Sequence, residues 1–570
     1  MSGGRGFDNL SNVVLLAINA KYVHSSLSVW VIAGGVSKYA QLSHDVSVVE
    51  TTINQDSSDI VEAVAVHSPN VIGISSYIWN AGMLPELLML LRRQLPDAVI
   101  VLGGPEASNN VEYWLENGAD YVLQGEGEYE FPQFLDWLGE LKITENPVIA
   151  GSDPQSRESC TTPRGLPVKP AMTSDYDAIK HSTPIDPYTN AYLNALKGKL
   201  SYIETSRGCP FRCAFCLSAG SGVRYFPLDA VKEQILKLSK ANTKTIKFVD
   251  RTFNCNADRA SEIFEYVIWL NTACCFHFEV AADLFNERML SLLETAPPGR
   301  IQFEIGLQSF FEPALKACSR QMDVDKAEYN VLALLKMQNI HIHVDLIAGL
   351  PYESLEDFKN SFNRAYALDA HNLQLGFLKM LHGSELRKKA KSFGIEYSPM
   401  PPYEIISSPW LSFEDIQILK DIENALNHTR NKGRFISTLY YVLTATGKSP
   451  FSLMHSLGAA VPNHGTQLED YIVQVFDFFA KLPGVDENDL KDCMVFDWLG
   501  MVKGKNTPAF LKNDDERRKH IAETAENMLG RKLRREEYAV LHSGSGIFVD
   551  SSDRDPVTGL YRVHILAQGG

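Results

Sequence analysis

The sequence predicts an α/β protein with two parallel β-sheets and a mainly helical carboxy-terminal extension. Two series of short apolar segments alternate with helical patterns, one within residues 13–123 and the other within residues 202–379. Such alternation is typical of parallel strands joined by crossover helices. Prolines crowd the stretch between the two series. We therefore divide the chain into residues 1–144, a Pro-rich linker at 145–199, residues 200–398 and residues 399–570.

Composition narrows the classes of function. With 570 residues, of which 45% are hydrophobic and 22% charged, the chain has the composition of a globular protein of several domains. Its net charge of −15 argues against a nucleic-acid backbone as the main partner. No apolar run approaches the length of a membrane span, and no basic segment precedes a signal-like core. We expect a cytoplasmic protein that acts without a membrane or a nucleic acid.

The first series predicts a doubly wound, Rossmann-like sheet. Its five expected strands are residues 13–18, 46–49, 71–75, 99–102 and 121–123. Ligands of such sheets bind beyond the carboxyl ends of the strands. The loops there offer hydroxyls, an aromatic ring and glycines, which allow a ligand to approach the backbone. The candidate binding residues are Ser75, Ser76, Trp79, Gly103, Gly104, Gly125, Glu126 and Gly127. Taken alone, this domain is compatible with nucleotide binding, a response-regulator-like module or a scaffold.

The second series predicts a partial (β/α)6 barrel. Its six expected strands are residues 202–206, 245–250, 276–281, 301–308, 341–347 and 373–379. In residues 301–308 the even positions are Gln302, Glu304, Gly306 and Gln308, and every odd position is apolar. Alternate residues of a strand face opposite sides, so the polar row would line the lumen. A closed barrel core is filled by bulky branched residues. A polar lumen therefore favours a ligand site, and the alternative is a buried hydrogen-bond network without a ligand.

Three cysteines follow the first strand of this second series. Cys209, Cys213 and Cys216 have the spacing C-x3-C-x2-C, directly after the apolar residues 200–203. Short-spaced thiolates at the end of a strand suit an iron–sulfur cube. Three thiolates would bind three irons and leave the fourth open to a ligand that carries an amine and a carboxylate. The alternative is a zinc knot completed by a histidine, although paired C-x2-C spacings are usual there.

The cysteine motif, including Phe215 before its last cysteine, resembles that of the radical SAM enzymes. The first series resembles the cobalamin-binding domain that precedes the radical SAM domain in one subfamily. That subfamily's Gly-Gly-Pro and Gly-Glu-Gly-Glu turns are matched at residues 103–105 and 125–128. The resemblance implies three cofactors: a 4Fe–4S cluster on the three cysteines, S-adenosylmethionine (SAM) and cobalamin. The Asp-x-His-x-x-Gly motif that supplies a histidine to cobalt is absent, and His24 is interpreted as an ordinary loop residue.

Position by position, the resemblance implies roles for five residues near SAM. Phe215 would border the adenine, and Glu279 and Gln308 would bind the ribose hydroxyls. Arg320 would pair with the SAM carboxylate, which a guanidinium binds in a bidentate manner. Asp345 would lie near the adenosine. Residues 250–254 depart from the usual Gly-Gly-Glu, so backbone carbonyls are expected to bind the SAM amino group. For each polar residue alone, a structural hydrogen bond is the competing interpretation.

The resemblance implies a C-methyltransferase that acts on an unactivated carbon through methylcobalamin and a 5′-deoxyadenosyl radical. An electron donor such as a flavodoxin or ferredoxin is implied, and the substrate is a small molecule or a peptide side chain. Two alternatives remain open: a radical rearrangement or ring-forming reaction without methyl transfer, and a non-catalytic iron–sulfur sensor.

The remaining segments carry structural expectations without chemistry. In the extension, Ser412 and Asp415 predict a capped helix start, and residues 539–541, 546–549 and 561–566 predict strands. In the linker, residues 175–179 predict one helical turn.

Overall fold

The computed structural model describes residues 11–144, 184–241, 243–502, 504–513 and 516–566. Its first domain contains a five-stranded sheet in the order β2-β1-β3-β4-β5, with every neighbouring pair parallel. The strands are β1 (Ser11–Asn19), β2 (His44–Thr52), β3 (Val71–Ser75), β4 (Val99–Gly103) and β5 (Tyr121–Val122). The strand order reverses between β1 and β3, which is where ligands of doubly wound folds bind. The predicted Rossmann-like architecture is confirmed.

Helices cover both faces of this sheet, which explains why its strands β1, β3 and β4 are predominantly apolar, while the edge strand β2 also carries polar residues. On β1, Val13, Leu15 and Ala17 face one hydrophobic core, and the residues between them face the other. The covering helices are Leu27–Tyr39 and Gly127–Thr144 on one face, and Ser57–Ala65, Leu84–Gln94, Pro105–Ser108 and Val111–Glu116 toward the other.

The second domain is an open, six-stranded parallel sheet, as expected for a partial barrel. Its order is β13-β12-β11-β10-β9-β6, so each strand pairs with the next along the chain. A hairpin of β7 and β8, inserted after β6, carries the first cysteine. The strands are β6 (Ser201–Ile203), β7 (Ser206–Cys209), β8 (Gly222–Tyr225), β9 (Thr245–Phe248), β10 (Cys275–Val280), β11 (Ile301–Gln308), β12 (His341–Ala348) and β13 (Asn372–Phe377).

The alternation predicted for β11 is present: its odd residues are buried against the helices and its even residues are partly exposed toward the lumen. The helices around the sheet are Asn190–Ala195, Leu228–Lys240, Ala257–Trp269, Glu287–Glu294, Glu312–Ala317, Val324–Lys336 and Leu355–Ala367. The first of these lies within the predicted linker and was not expected. Its Tyr192 is fully buried and stacks on Trp30 of the first domain at 4.7 Å. The helical turn expected at residues 175–179 lies outside the described residues.

The extension is mainly helical and ends in a three-stranded antiparallel sheet, as predicted. Ser412 and Asp415 form the expected capping box at the start of helix Phe413–His428. The short hairpin β14–β15 was not predicted. The helices are Glu385–Lys388, Ala390–Phe393, Phe413–His428, Ile436–Thr446, Pro450–Ala460, Leu468–Phe479, Glu487–Met501 and Arg518–Leu529, and the strands are β14 (Glu396–Tyr397), β15 (Ile405–Ser407), β16 (Tyr538–Val540), β17 (Gly546–Arg554) and β18 (Tyr561–Leu566).

This extension covers the open edge of the barrel sheet at β13. The Asn431 side-chain amide donates to the Leu373 carbonyl at 2.8 Å and accepts from the Leu373 N–H at 3.0 Å. It also reaches the first domain, where the Tyr403 hydroxyl donates to the buried Glu106 carboxylate at 2.5 Å. Among the described residues, no helix is both long and apolar enough to cross a membrane.

Candidate functional site

The loops at the carboxyl ends of the first sheet's strands meet the start of the barrel. His24, which follows β1, hydrogen-bonds through Nδ1 to the Tyr202 hydroxyl of β6 at 2.5 Å. Glu126, which follows β5, forms an ion pair of 2.8 Å with Arg207 of β7. The edge of the first sheet where ligands bind therefore adjoins the strand that carries the first cysteine.

The three predicted cluster ligands lie near one another at this junction. Cys209 and Cys213 are buried and Cys216 is half-buried. Burial raises the pKa of the Cys216 thiol, and the neighbouring Cys213 and Cys209 raise it further. Within the described part of the chain, no three His, Cys, Asp or Glu side chains are placed to share a single metal ion. Three thiolates of this spacing suit an iron–sulfur cube, in which each thiolate binds a different iron.

Two polar atoms, one on Arg320 and one on Gln308, are buried without a protein partner among the described residues. Arg320 donates from Nη2 to the Gly306 carbonyl at 2.8 Å and from Nη1 to the Cys213 sulfur at 3.7 Å. Its Nε atom and the Gln308 Oε1 atom are both buried, and neither has a hydrogen-bond partner among the described residues. Because buried polar groups are normally paired, these atoms fit a ligand that carries a carboxylate and hydroxyls, as SAM does.

Gln308 is held in an unusual backbone conformation. A β-bulge between Gly306 and Gln308 interrupts the pairing of β11 with β12, and Gln308 has φ +69. Positive φ is strained for a glutamine, and such strain is concentrated at functional sites. A Cβ atom on Gly306 would lie 2.1 Å from the Gln308 amide nitrogen, so the Gln308 amide occupies the space beside Gly306. The bulge therefore directs the Gln308 amide back over Gly306.

The lumen contains two carboxyl groups whose pKa values are shifted in opposite directions. His277 donates from Nε2 to the Glu304 carboxylate at 2.9 Å, and Lys247 Nζ lies 3.6 Å from the same carboxylate. The hydrogen bond from His277 is the main cause that lowers the pKa of Glu304 to about 2. Burial, followed by repulsion from Glu304, raises the pKa of Glu279 to about 7. Burial disfavours the charged form of Glu279, so new hydrogen-bond donors from a ligand would stabilise that form.

Deeper in the lumen, the side chains contact one another. Gln302 contacts His341 at 3.2 Å, and the His341 ring stacks on His371 at 4.9 Å. His343 Nε2 and Asp345 Oδ1 lie 2.9 Å apart, and burial raises the pKa of Asp345. Both interpretations of the polar lumen therefore describe part of it. Gln302, His341 and His371 contact one another, whereas His343 Nε2 and Asp345 Oδ1, like Gln308 Oε1, are buried without a hydrogen-bond partner among the described residues.

The loop after β9 braces the site through side chains. Asp250 accepts hydrogen bonds from the Thr205 N–H at 3.0 Å and the Thr205 hydroxyl at 2.7 Å. Asn254 donates to the Ala281 carbonyl at 2.8 Å and accepts from its N–H at 2.9 Å. That this loop binds the SAM amino group through backbone carbonyls stays a prediction. Phe215 is half-buried and packs on the barrel core.

In the first domain, several predicted ligand contacts hold the loops to one another. The Ser76 hydroxyl donates to the Gly103 carbonyl at 2.8 Å and accepts from the Ala107 N–H at 2.9 Å. Gly104 has φ +93, and a Cβ there would lie 2.5 Å from the Ser76 carbonyl oxygen. These residues therefore shape the loops, and their contact with a ligand stays a prediction.

Trp79 presents an exposed ring to a ligand, whereas the Glu126 carboxylate is already bound by other side chains. Trp79 is 44% exposed, and its ring stacks on Tyr77 at 4.3 Å, which presents an aromatic surface at the sheet edge. The Glu126 carboxylate is engaged by Arg224 at 2.6 Å. Ser75 is buried, and Gly125 has φ +97 at the start of its turn. Arg207, Tyr202 and Lys247 belong to the site but had no motif to identify them.

Comparison with protein-family models divides the chain as its fold does. Residues 13–135 match the B12 binding domain, and residues 203–365 match the radical SAM superfamily. Residues 391–544 match a family described as a protein of unknown function (DUF4080). A B12-binding domain and a radical SAM domain in one chain assign cobalamin, SAM and a 4Fe–4S cluster as its cofactors.

Curated relatives of low identity include methyltransferases, and a cyclase is also among them. The chain is 24% identical over 357 residues to an uncharacterised methyltransferase of Pyrococcus horikoshii, covering 60% of this chain and 74% of that protein. It is 22% identical over 367 residues to the cobalamin-dependent radical SAM methyltransferase TokK of Streptomyces tokunonensis, covering 60% of this chain and 52% of TokK. The alignment therefore spans only about half of TokK.

Solved structures share the fold. The radical enzyme OxsB with aqua-cobalamin and SAM bound has a TM-score of 0.56 at 16% identity, over 85% of this chain and 78% of OxsB. The methyltransferase TsrM from Kitasatospora setae, with cobalamin and a [4Fe-4S] cluster bound, has a TM-score of 0.52 at 16% identity, over 86% of this chain and 95% of TsrM. Because it carries a B12-binding domain and a radical SAM domain together, the chain belongs to the cobalamin-dependent radical SAM enzymes.

Proposed function

We propose that this enzyme methylates an unactivated carbon of a small molecule or a peptide side chain. The observation that carries the proposal is the meeting of the two ligand-binding sheet edges, joined by the His24–Tyr202 and Glu126–Arg207 contacts. Cofactors bound at these edges would lie on either side of one substrate, and such positioning supplies much of the rate of a reaction. When bound, cobalamin supplies the methyl group and the cluster supplies the electron that cleaves SAM.

The residues of the chain supply positioning and electrostatics. Cys209, Cys213 and Cys216 would hold the cluster, and the unpartnered Nε of Arg320 would donate to the SAM carboxylate. Gln308 and Glu279 would bind the ribose hydroxyls. Hydroxyl donors from the ribose would favour the charged form of Glu279 and so lower its raised pKa.

The lower face of cobalt would carry no histidine from this chain. The nearest loop histidine, His24, is bound to Tyr202 at 2.5 Å, and burial lowers its pKa. Trp79, on the neighbouring loop, would pack against the corrin ring.

The test is the fate of SAM when the enzyme turns over its substrate with a flavodoxin or ferredoxin as the electron donor. Methylation requires S-adenosylhomocysteine and 5′-deoxyadenosine in equal amounts, together with a product heavier by one CH2 group. Deoxyadenosine alone, with an unmethylated product, would contradict methyl transfer and would favour a radical rearrangement or ring closure. The compounds made or used by the enzymes of neighbouring genes are the candidate substrates to assay first.

A further inference from the structure

Five charged side chains form a cluster between the first domain and the barrel. We call it the Arg207 cluster, and it consists of Glu126, Glu128, Glu204, Arg207 and Arg224. Its side chains are between 10% and 26% exposed, so solvent screens their interactions only in part. The two glutamates of the first domain belong to the Gly125–Glu128 turn, which is predicted to contact cobalamin.

Arg207 is the centre of this cluster. Its Nη2 lies 2.6 Å from Glu204, and its Nη1 lies 2.8 Å from Glu128 and 2.8 Å from Glu126. Arg224 contacts only Glu126 within the cluster, at 2.6 Å and 2.7 Å. Removing Arg207 would leave three part-buried carboxylates with one guanidinium between them, whereas removing Arg224 leaves every Arg207 contact in place.

On the barrel side, Arg207 is coupled closely to the first cysteine. In the β7–β8 hairpin, Arg207 pairs with Arg224 and Cys209 pairs with Gly222. Between them Gly208 has φ +100, and a Cβ there would lie 1.9 Å from the Gly222 carbonyl oxygen. Because the hairpin has no free space at this point, a shift of Arg207 displaces Cys209 as well.

At the first-domain end of the Arg207 contact, the Gly125–Glu128 turn is packed as tightly as the β7–β8 hairpin. A Cβ on Gly35 of helix Leu27–Tyr39 would lie 2.2 Å from the Glu128 carbonyl oxygen, so the turn is packed against that helix. Gly125, with φ +97, begins the turn. A ligand that orders this turn would therefore fix Glu126 and Glu128, and with them the position of Arg207.

We propose that Arg207 is a positioning residue that couples cobalamin binding to the geometry of the iron–sulfur cluster. The proposal rests on the predicted contact of the Gly125–Glu128 turn with cobalamin, and it does not depend on which reaction the enzyme performs. Coupling between two sites is reciprocal, so a loaded cluster must tighten cobalamin binding by the same factor as cobalamin stabilises the loaded cluster.

The experiment measures the dissociation constant of hydroxocobalamin for the full chain, once with the cluster reconstituted anaerobically and once without it. For the wild type we expect the two constants to differ by about fivefold or more, the lower range of measured site-to-site couplings. In Arg207→Gln the ratio should fall to about one. Arg224→Gln is the matched control, and it should keep the ratio of the wild type.

A second variant acts from the opposite side of the interface. Glu126→Gln/Glu128→Gln leaves the cysteine hairpin unchanged, so it tests the coupling even if Arg207→Gln fails to fold or to load a cluster, and it too should bring the ratio to about one. A wild type that binds cobalamin equally well with and without the cluster would overturn the proposal, as would an Arg207→Gln ratio equal to that of the wild type. Loss of the ratio in Arg224→Gln would overturn the assignment to Arg207. A wild type that binds no hydroxocobalamin would contradict the cofactor assignment instead.

Discussion

The two parallel sheets of the molecule carry their polar residues in different places. Every residue of β3 in the first sheet is buried, whereas buried and partly exposed residues alternate along β11 of the barrel. Helices cover both faces of the first sheet, and only one face of the barrel sheet is packed in this way. In the first domain, polar side chains therefore lie on the edge strand β2 and on the loops beyond the strand ends, while in the barrel they line the lumen face of the strands themselves.

This difference decides what each polar side chain is free to do. On the loops of the first domain, Ser76 and Asn80 are occupied in holding neighbouring segments together. On the barrel strands, side chains project into the lumen, and the Gln308 oxygen at the β-bulge is left without a partner among the residues described. We expect side chains to dominate cofactor binding in the barrel, and backbone and loop shape to dominate it in the first domain.

The largest effect should follow from removing the cluster ligands of the barrel. After anaerobic reconstitution, the triple variant Cys209→Ala/Cys213→Ala/Cys216→Ala should lose the iron–sulfur absorption at about 400 nm, because it has no thiolates to bind the irons of the cluster. Cys274→Ala is the control, since that buried cysteine lies outside the motif and should leave the spectrum unchanged. Full retention of the absorption in the triple variant would contradict the ligand assignment.

Two neighbouring lumen carboxyls should respond to pH with opposite signs. The pKa of Glu279 is raised to about 7, so the unfolded chain loses this proton at a lower pH than the folded one. The free energy of unfolding of the cofactor-free protein therefore falls as pH rises from about 4.5 to about 7, by up to roughly 3 kcal/mol. Glu279→Gln removes this loss and should become more stable than the wild type across that interval, as measured by its melting temperature.

Glu304 provides the matched comparison. Its pKa is lowered to about 2, so its charged form stabilises the protein above the usual pKa of a glutamate, and this stabilisation is lost as pH falls through about 2. Glu304→Gln should be less stable than the wild type at neutral pH, with the difference narrowing as the pH is lowered. Two variants with the same pH response would show that these carboxyls do not occupy distinct environments.

A smaller, local effect is expected in the first domain. Ser76→Ala leaves the buried Ala107 N–H without its hydroxyl partner, which costs about 1–3 kcal/mol. Because that contact sets the shape of the Gly103–Glu106 turn, hydroxocobalamin affinity should fall together with the melting temperature of the protein. Ser75→Ala, on the adjacent position, should change both quantities less. Equal effects from both serines would argue that the hydroxyls bind the cofactor directly.

The contrast between the sheets also explains what the sequence could predict. The period of two in residues 301–308 marked the lumen positions because alternation follows from strand geometry alone. The partners of those residues could not be predicted, since Arg207 and Glu126 are brought together only by the packing of two domains. Helix Asn190–Ala195 was missed because it follows a Pro-rich stretch, although Thr189 caps its first turn. The left-handed conformation of Gln308 had no signal, because glutamine does not favour it.

The smallest expected effect tests whether the loops of the first domain bind the cofactor through their shape or through a side chain. His24 lies in the first loop of the cobalamin-binding domain, where its Nδ1 contacts the Tyr202 hydroxyl, and burial, followed by the charge of Lys247, lowers its pKa. If the loops act through shape, His24→Ala should leave the electron paramagnetic resonance spectrum of the cob(II)alamin form unchanged, without the triplet splitting that a nitrogen ligand produces. Tyr202→Phe should leave it unchanged as well, because removing the hydroxyl only frees an imidazole that faces the barrel. Triplet splitting in the wild type that disappears in His24→Ala would mean that a loop side chain does bind the metal.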